Sequence, residues 1–86
     1  MKKMEKTFKA LANKKRLEIL AFLNKSKSAS VGEIADEITM SLKSTSKHLL
    51  VLYHADFLEK ERVNGLTIYS LNSTMASIER ALLKLF

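Results

Sequence analysis

The sequence predicts a mainly α-helical domain with one small β-hairpin, in the order α-α-α-α-β-β-α. Three observations predict it. Apolar residues recur at helical spacing in four stretches before Phe57 and in one after Ser73. Ser30 and Ser41 stand just ahead of two of those stretches, where a helix N-cap belongs. Asn64-Gly65 separates two β-prone runs, the strongest short-range signal for a hairpin.

Composition bounds the answer. The chain has 86 residues and reads as one domain, 1–86. So short a chain buries a thin core and gains from a partner subunit. It has no cysteine, which excludes disulfides and thiolate metal sites. Its apolar fraction of 47% is that of a folded domain. No apolar run is long enough to span a membrane. The opening MKKMEKTFKALANKKR has no apolar core of a signal peptide, so a cytoplasmic protein is expected.

The formal net charge of +6 favours an anionic partner, nucleic acid ahead of an acidic membrane surface. The charge is also unevenly spread. Lys2, Lys3, Lys6, Lys9, Lys14, Lys15, Arg16, Lys25 and Lys27 face only Glu5 and Glu18 ahead of Ser30. Acids return as Glu33, Asp36 and Glu37, then vanish from Ser41 to Ala55. Patches of this kind suggest a directed positive surface more than uniform solvation.

Met4, Phe8 and Leu11 share one face of the first helix, which ends near Asn13. The second helix runs from Lys14 to about Asn24, with Leu17 and Leu20 on its core stripe. Arg16, beside Lys14 and Lys15, is read either as part of a solvated helix end or as a phosphate contact. Lys25 to Ala29 is polar and serine-rich and reads as a loop. Ser30 and Glu33 make a capping box for the third helix, which turns Val31, Ile34, Ala35 and Ile38 inward.

Thr39-Met40-Ser41 is the turn of a helix-turn-helix. Such turns often carry a glycine in a left-handed conformation, and here Thr39 would have to accept that strain or the turn take another shape. Ser41 caps the fourth helix. Leu42, Leu49 and Leu52 are expected on its buried face, with Ser46 small enough for close packing. Lys43, Ser44, Thr45 and Lys47 are expected to fan over its exposed first turns, with His48 on the face of Ser44. This is a cationic, hydrogen-bonding helix start suited to a DNA groove.

A two-residue type I′ turn at Asn64-Gly65 sets the hairpin register, with Lys60 across from Tyr69 and Arg62 across from Thr67. Val63, Leu66 and Ile68 put apolar groups on its second face, for a helix or another copy to cover. Asn72 or Ser73 caps a last helix whose stripe is Met75, Ile78, Leu82 and Leu85, with Phe86 beside it. So much apolar surface on a terminal helix suggests a homodimer seam of Met4, Phe8, Leu11, Ile78, Leu82, Leu85 and Phe86.

Catalysis is not expected. Ser46 and His48 are two apart on a helix and point to different sides, so neither can activate the other, and no glycine-rich phosphate loop exists. His48 and His54 point roughly 120° apart and cannot chelate one ion alone. A metal would need a site across subunits with Asp56 or Glu79. No metal and no cofactor are expected.

The order of elements is that of a winged helix-turn-helix. The words FKALANKKRLEILAFL and VGEIADEITMSLKSTSKHLLVLYHADFLEKERVNGLTIYSLN resemble the arsenical-resistance-regulator (ArsR/SmtB) family of repressors, over about residues 7 to 72. The resemblance implies a dimer that places two recognition helices in successive major grooves of double-stranded DNA, represses its own operon, and is released by an inducer. Its DNA-approaching positions fall on Lys43, Ser44, Thr45, Ser46, Lys47 and His48, with Ser41 as a phosphate-contacting cap and Arg62 and Asn64 at the wing tip.

Departures from the family pattern matter equally. Metal-sensing members open the third helix with cysteines, where this chain has Ser30 and Gly32. Others bind metal on the last helix through histidine and aspartate, which residues 73–86 lack. Leu50 stands where the family often has a polar residue. The chain therefore resembles a short, metal-free branch, released if at all by an unidentified inducer or protein partner. The competing expectation is a winged-helix module that docks an acidic protein through the same basic face.

Overall fold

Among the described residues four helices and three strands form in chain order: α1 (Lys2–Leu11), α2 (Lys14–Ser26), β1 (Ser28–Ser30), α3 (Val31–Ile38), α4 (Leu42–His54), β2 (Leu58–Val63) and β3 (Leu66–Leu71). The computed structural model describes residues 2–73, with side chains from Glu5 onward. The expected last helix, and with it Met75, Ile78, Leu82, Leu85 and Phe86, lies outside the described residues, as does the Met4 side chain.

Local chemistry starts each helix. Asn13 caps α2, its side chain accepting from the Arg16 N–H at 3.1 Å. Ser30 and Glu33 close the expected capping box at α3, with bonds of 3.2 and 2.8 Å. Ser41 caps α4 by accepting from the Ser44 N–H at 3.1 Å. Each such cap stabilises its helix by about 1 kcal/mol.

Two helices stop with one device. At α3, Thr39 is left-handed at φ 54, its N–H donates to Asp36, and the Met40 N–H donates to Ala35. At α4, Asp56 has φ 66, its N–H donates to Tyr53, and the Phe57 N–H donates to Leu52. Each pair of bonds satisfies two of the orphan carbonyls of the last turn and folds the chain back on itself. Met40 and Phe57 then pack on the core.

That core gathers Ile19, Leu20 and Leu23 of α2, Ile34 and Ile38 of α3, Leu49 and Leu52 of α4, and Phe57, Leu58 and Tyr69 of the sheet side, with Ala10 of α1 and Ala29. Each large member contributes roughly 1.5–3 kcal/mol of burial. The expected stripe on α2 is rotated: Ile19, Leu20 and Leu23 are buried, whereas Leu17 is only half-buried. Helix α2 is covered by α3, α4 and the sheet at once, so its inward face is wider than a single stripe.

The sheet is antiparallel, in the order β1-β3-β2. Its hairpin has the expected register, Lys60 opposite Tyr69 and Arg62 opposite Thr67, with Asn64 and Gly65 both at positive φ. Strand β1 corrects the reading of residues 25–29 as loop. Helix α2 continues to Ser26, and Ser28–Ser30 pair with Ser70–Ile68 of β3. Three residues carry no usable periodicity. The pairing works because small, buried Ala29 sits opposite the bulky, buried Tyr69.

Candidate nucleic-acid interface

The α3–turn–α4 unit presents the amino-terminal half of α4 to solvent. No acidic side chain lies between Ser41 and Ala55. The first N–H groups of a helix lack intrahelical acceptors and carry the positive end of its dipole. At α4 they meet Lys43 and Lys47, both exposed, and exposed Ser44. At 100° per residue, Lys43, Lys47, Leu50 and His54 share one outward stripe, and Ser44, His48 and Val51 share the next.

Two expectations about this surface change. Thr45 is fully buried, not fanned over the exposed turns. It stands one turn ahead of Leu49 and two ahead of Leu52, so it occupies the inward position of the first turn. Among the described residues its Oγ1 has no hydrogen-bond partner. Leu42, expected on that face, is 59% exposed instead. Ser46 and His48 are half-buried at the edge of the outward surface.

Arg16, read as a solvated helix end or a phosphate contact, is anchored to the end of α1. Its Nε donates to the Ala10 carbonyl at 2.8 Å and Nη2 to the Lys9 carbonyl at 3.0 Å. Lys15 similarly donates from Nζ to the Ile38 carbonyl at 2.5 Å and pairs with Glu18 at 3.6 Å. Two cations of the Lys14-Lys15-Arg16 run are thus spent on the negative ends of α1 and α3. Arg16 also lies close enough to His48 to act on it: burial, with the Arg16 charge adding, holds the His48 imidazole below its ordinary pKa.

On the hairpin, charge alternates with the pleat. Lys60 and Arg62 share the face of buried Tyr69, and Glu59 and Glu61 lie on the other. The Lys60 ammonium stands 4.4 Å from the ring centre of Tyr53 on α4, so the cationic face of β2 turns toward α4. Arg62 donates from Nη1 to Thr67 Oγ1 at 3.1 Å, and Asn64 is exposed at the turn. The pair Val63–Leu66 beside it stays exposed, uncovered by any described element. Sequence reasoning did not single out Lys60; the alternation E-K-E-R along β2 was the available signal.

The expected dimer residues divide. Phe8 is 61% exposed. Leu11 packs against the protomer's own core, because the chain turns into α2 directly after it. Among the described residues no three histidine, aspartate or glutamate side chains come together as a metal site would require.

Helix-turn-helix, a β-hairpin carrying cations beside the second helix, and a third strand closing the sheet define the winged helix-turn-helix class. Comparison agrees with this geometry. Residues 11–61 match the family model described as a helix-turn-helix domain. The transcriptional repressor SdpR of Bacillus subtilis is 35% identical over 72 residues, 84% of this chain and 79% of that protein. The arsenical resistance operon repressor of the same organism is 33% identical over 72 residues, 84% of this chain and 69% of that protein. The homodimeric winged helix-turn-helix DNA-binding domain Mb0332 from Mycobacterium bovis superposes with a TM-score of 0.86 at 27% identity, covering 98% of this chain and 77% of that one. The chain belongs to the ArsR family of winged helix-turn-helix transcriptional regulators.

Proposed function

We propose that this chain represses transcription as a homodimer that binds a palindromic operator in double-stranded DNA. The observation that carries the proposal is the amino-terminal half of α4: capped by Ser41, free of acids, and exposing Lys43, Ser44 and Lys47 with Ser46 and His48 at its edge. Two such helices would enter successive major grooves about 34 Å apart. Ser41 and the lysines hold phosphates, and Arg62 and Asn64 bring the wing to the flanking backbone. Exposed Phe8 and the homodimeric state of Mb0332 support pairing of two copies. No cofactor or metal is assigned to the site, and release falls to an inducer or a protein partner. A repressor of this kind works in the cytoplasm; no described helix is long and apolar enough to cross a membrane.

A gel shift against the chain's own upstream DNA, with random duplex as competitor, tests this. The expected result is operator preference with affinity falling steeply as salt rises. Lys43→Ala and His48→Ala should weaken operator binding more than random-duplex binding; equal losses would restrict both residues to phosphate. Absence of preference at every salt concentration would instead favour a module that docks an acidic protein. A monomeric mass at micromolar concentration would exclude docking in two grooves.

A further inference from the structure

We infer that Leu42 is a specificity-determining residue that reads a thymine through its 5-methyl group. The inference rests on the DNA-binding reading of α4 above. Leu42 is the first residue of α4 and is 59% exposed. A scattered surface leucine needs no explanation. This one is singled out by its place. It follows the Ser41 cap and precedes Lys43 and Ser44, at the end of the recognition helix that reaches base edges.

The chemistry of the groove supplies the partner. In the major groove every base edge offers hydrogen-bonding groups, and only thymine adds an apolar one, its methyl. Leucine set against any other edge strips water from donors and acceptors it cannot replace, which is costly. Against the methyl it removes apolar surface from water on both sides. The other exposed apolar residues are placed differently. Leu50 and Val51 lie eight and nine residues on, roughly 12 Å or more farther along the axis, and Phe8 is on α1. Val63 and Leu66 sit at the wing tip, and a wing entering the minor groove meets no methyl there.

The full chain would first be used to enrich binding sites from a randomised duplex library. Each thymine of the enriched site is then replaced by uracil, which pairs alike but lacks the methyl. One thymine per half-site should weaken binding about three- to fivefold on replacement, the worth of roughly one buried methyl-sized group. Leu42→Ala and Leu42→Gln should bind the thymine and uracil duplexes equally, and Leu50→Ala should keep the difference. Because Leu42 is exposed, both variants should retain the native circular dichroism and melting curve. A thymine preference that survives both Leu42 variants, one abolished by Leu50→Ala instead, or no uracil-sensitive position overturns the inference while leaving the operator reading intact. Failure to enrich any sequence overturns both.

Discussion

The Arg16 guanidinium donates from Nε to the Ala10 carbonyl at 2.8 Å, tying the start of α2 to the end of α1. It also donates to the Lys9 carbonyl, which accepts from the Ala12 N–H at 3.3 Å as well, so one guanidinium ties two carbonyls at the end of α1. Charged hydrogen bonds of this kind are worth about 1.5–3 kcal/mol each at most, less where water reaches them. Arg16→Met should therefore lower unfolding stability by about 1–2 kcal/mol in a urea titration. The slope of log affinity against log salt should stay unchanged. A slope smaller by about one would show that Arg16 neutralises a phosphate after all.

Thr45 makes the opposite case. Its hydroxyl is fully buried with no partner among the described residues, which leaves a desolvation cost that they do not offset. Thr45→Val keeps the shape and the β-branch while removing that hydroxyl. It should stabilise the domain by about 1 kcal/mol and leave DNA affinity unchanged. A loss of operator binding with stability intact would return Thr45 to the interface.

Thr39 holds a left-handed conformation at φ 54, which is strained for a β-branched residue. Thr39→Gly relieves that strain but frees the unfolded chain, so the net gain should be modest, up to about 1 kcal/mol. Thermal melting checks the sign. A destabilised variant would mean that the threonine side chain makes a contact worth more than the strain.

His48 makes stability depend on pH. Its folded pKa lies below the ordinary 6.5, through burial first and Arg16 second. The unfolded chain therefore takes up a proton before the folded one does. Stability is complete above pH 6.5 and falls as pH drops through 6.5 toward the folded value. His48→Gln should flatten that part of the profile in denaturation experiments run from pH 7.5 to 5.5. An unchanged profile would assign the dependence to another group.

Much of this protein was legible in its sequence because the signals were local. The Ser30–Glu33 box, the Ser41 cap and the Asn64-Gly65 turn each close within a few residues. The hairpin register followed from the turn alone, since a two-residue loop leaves one pairing. Charge along α4 likewise needed no fold to be read.

Tertiary structure decided what spacing leaves open. Leu42 and Thr45 both stand at helical intervals from Leu49, and only packing among α2, α3 and α4 buried the threonine and exposed the leucine. Strand β1 exists because β3, some forty residues later, offers it a free edge and a tyrosine to cover. Lys15 and Arg16 read as a basic patch until the carbonyl ends of α3 and α1 arrive beside them. Caps and turns depend on neighbours in the chain, whereas burial and the use of a charge depend on neighbours in space.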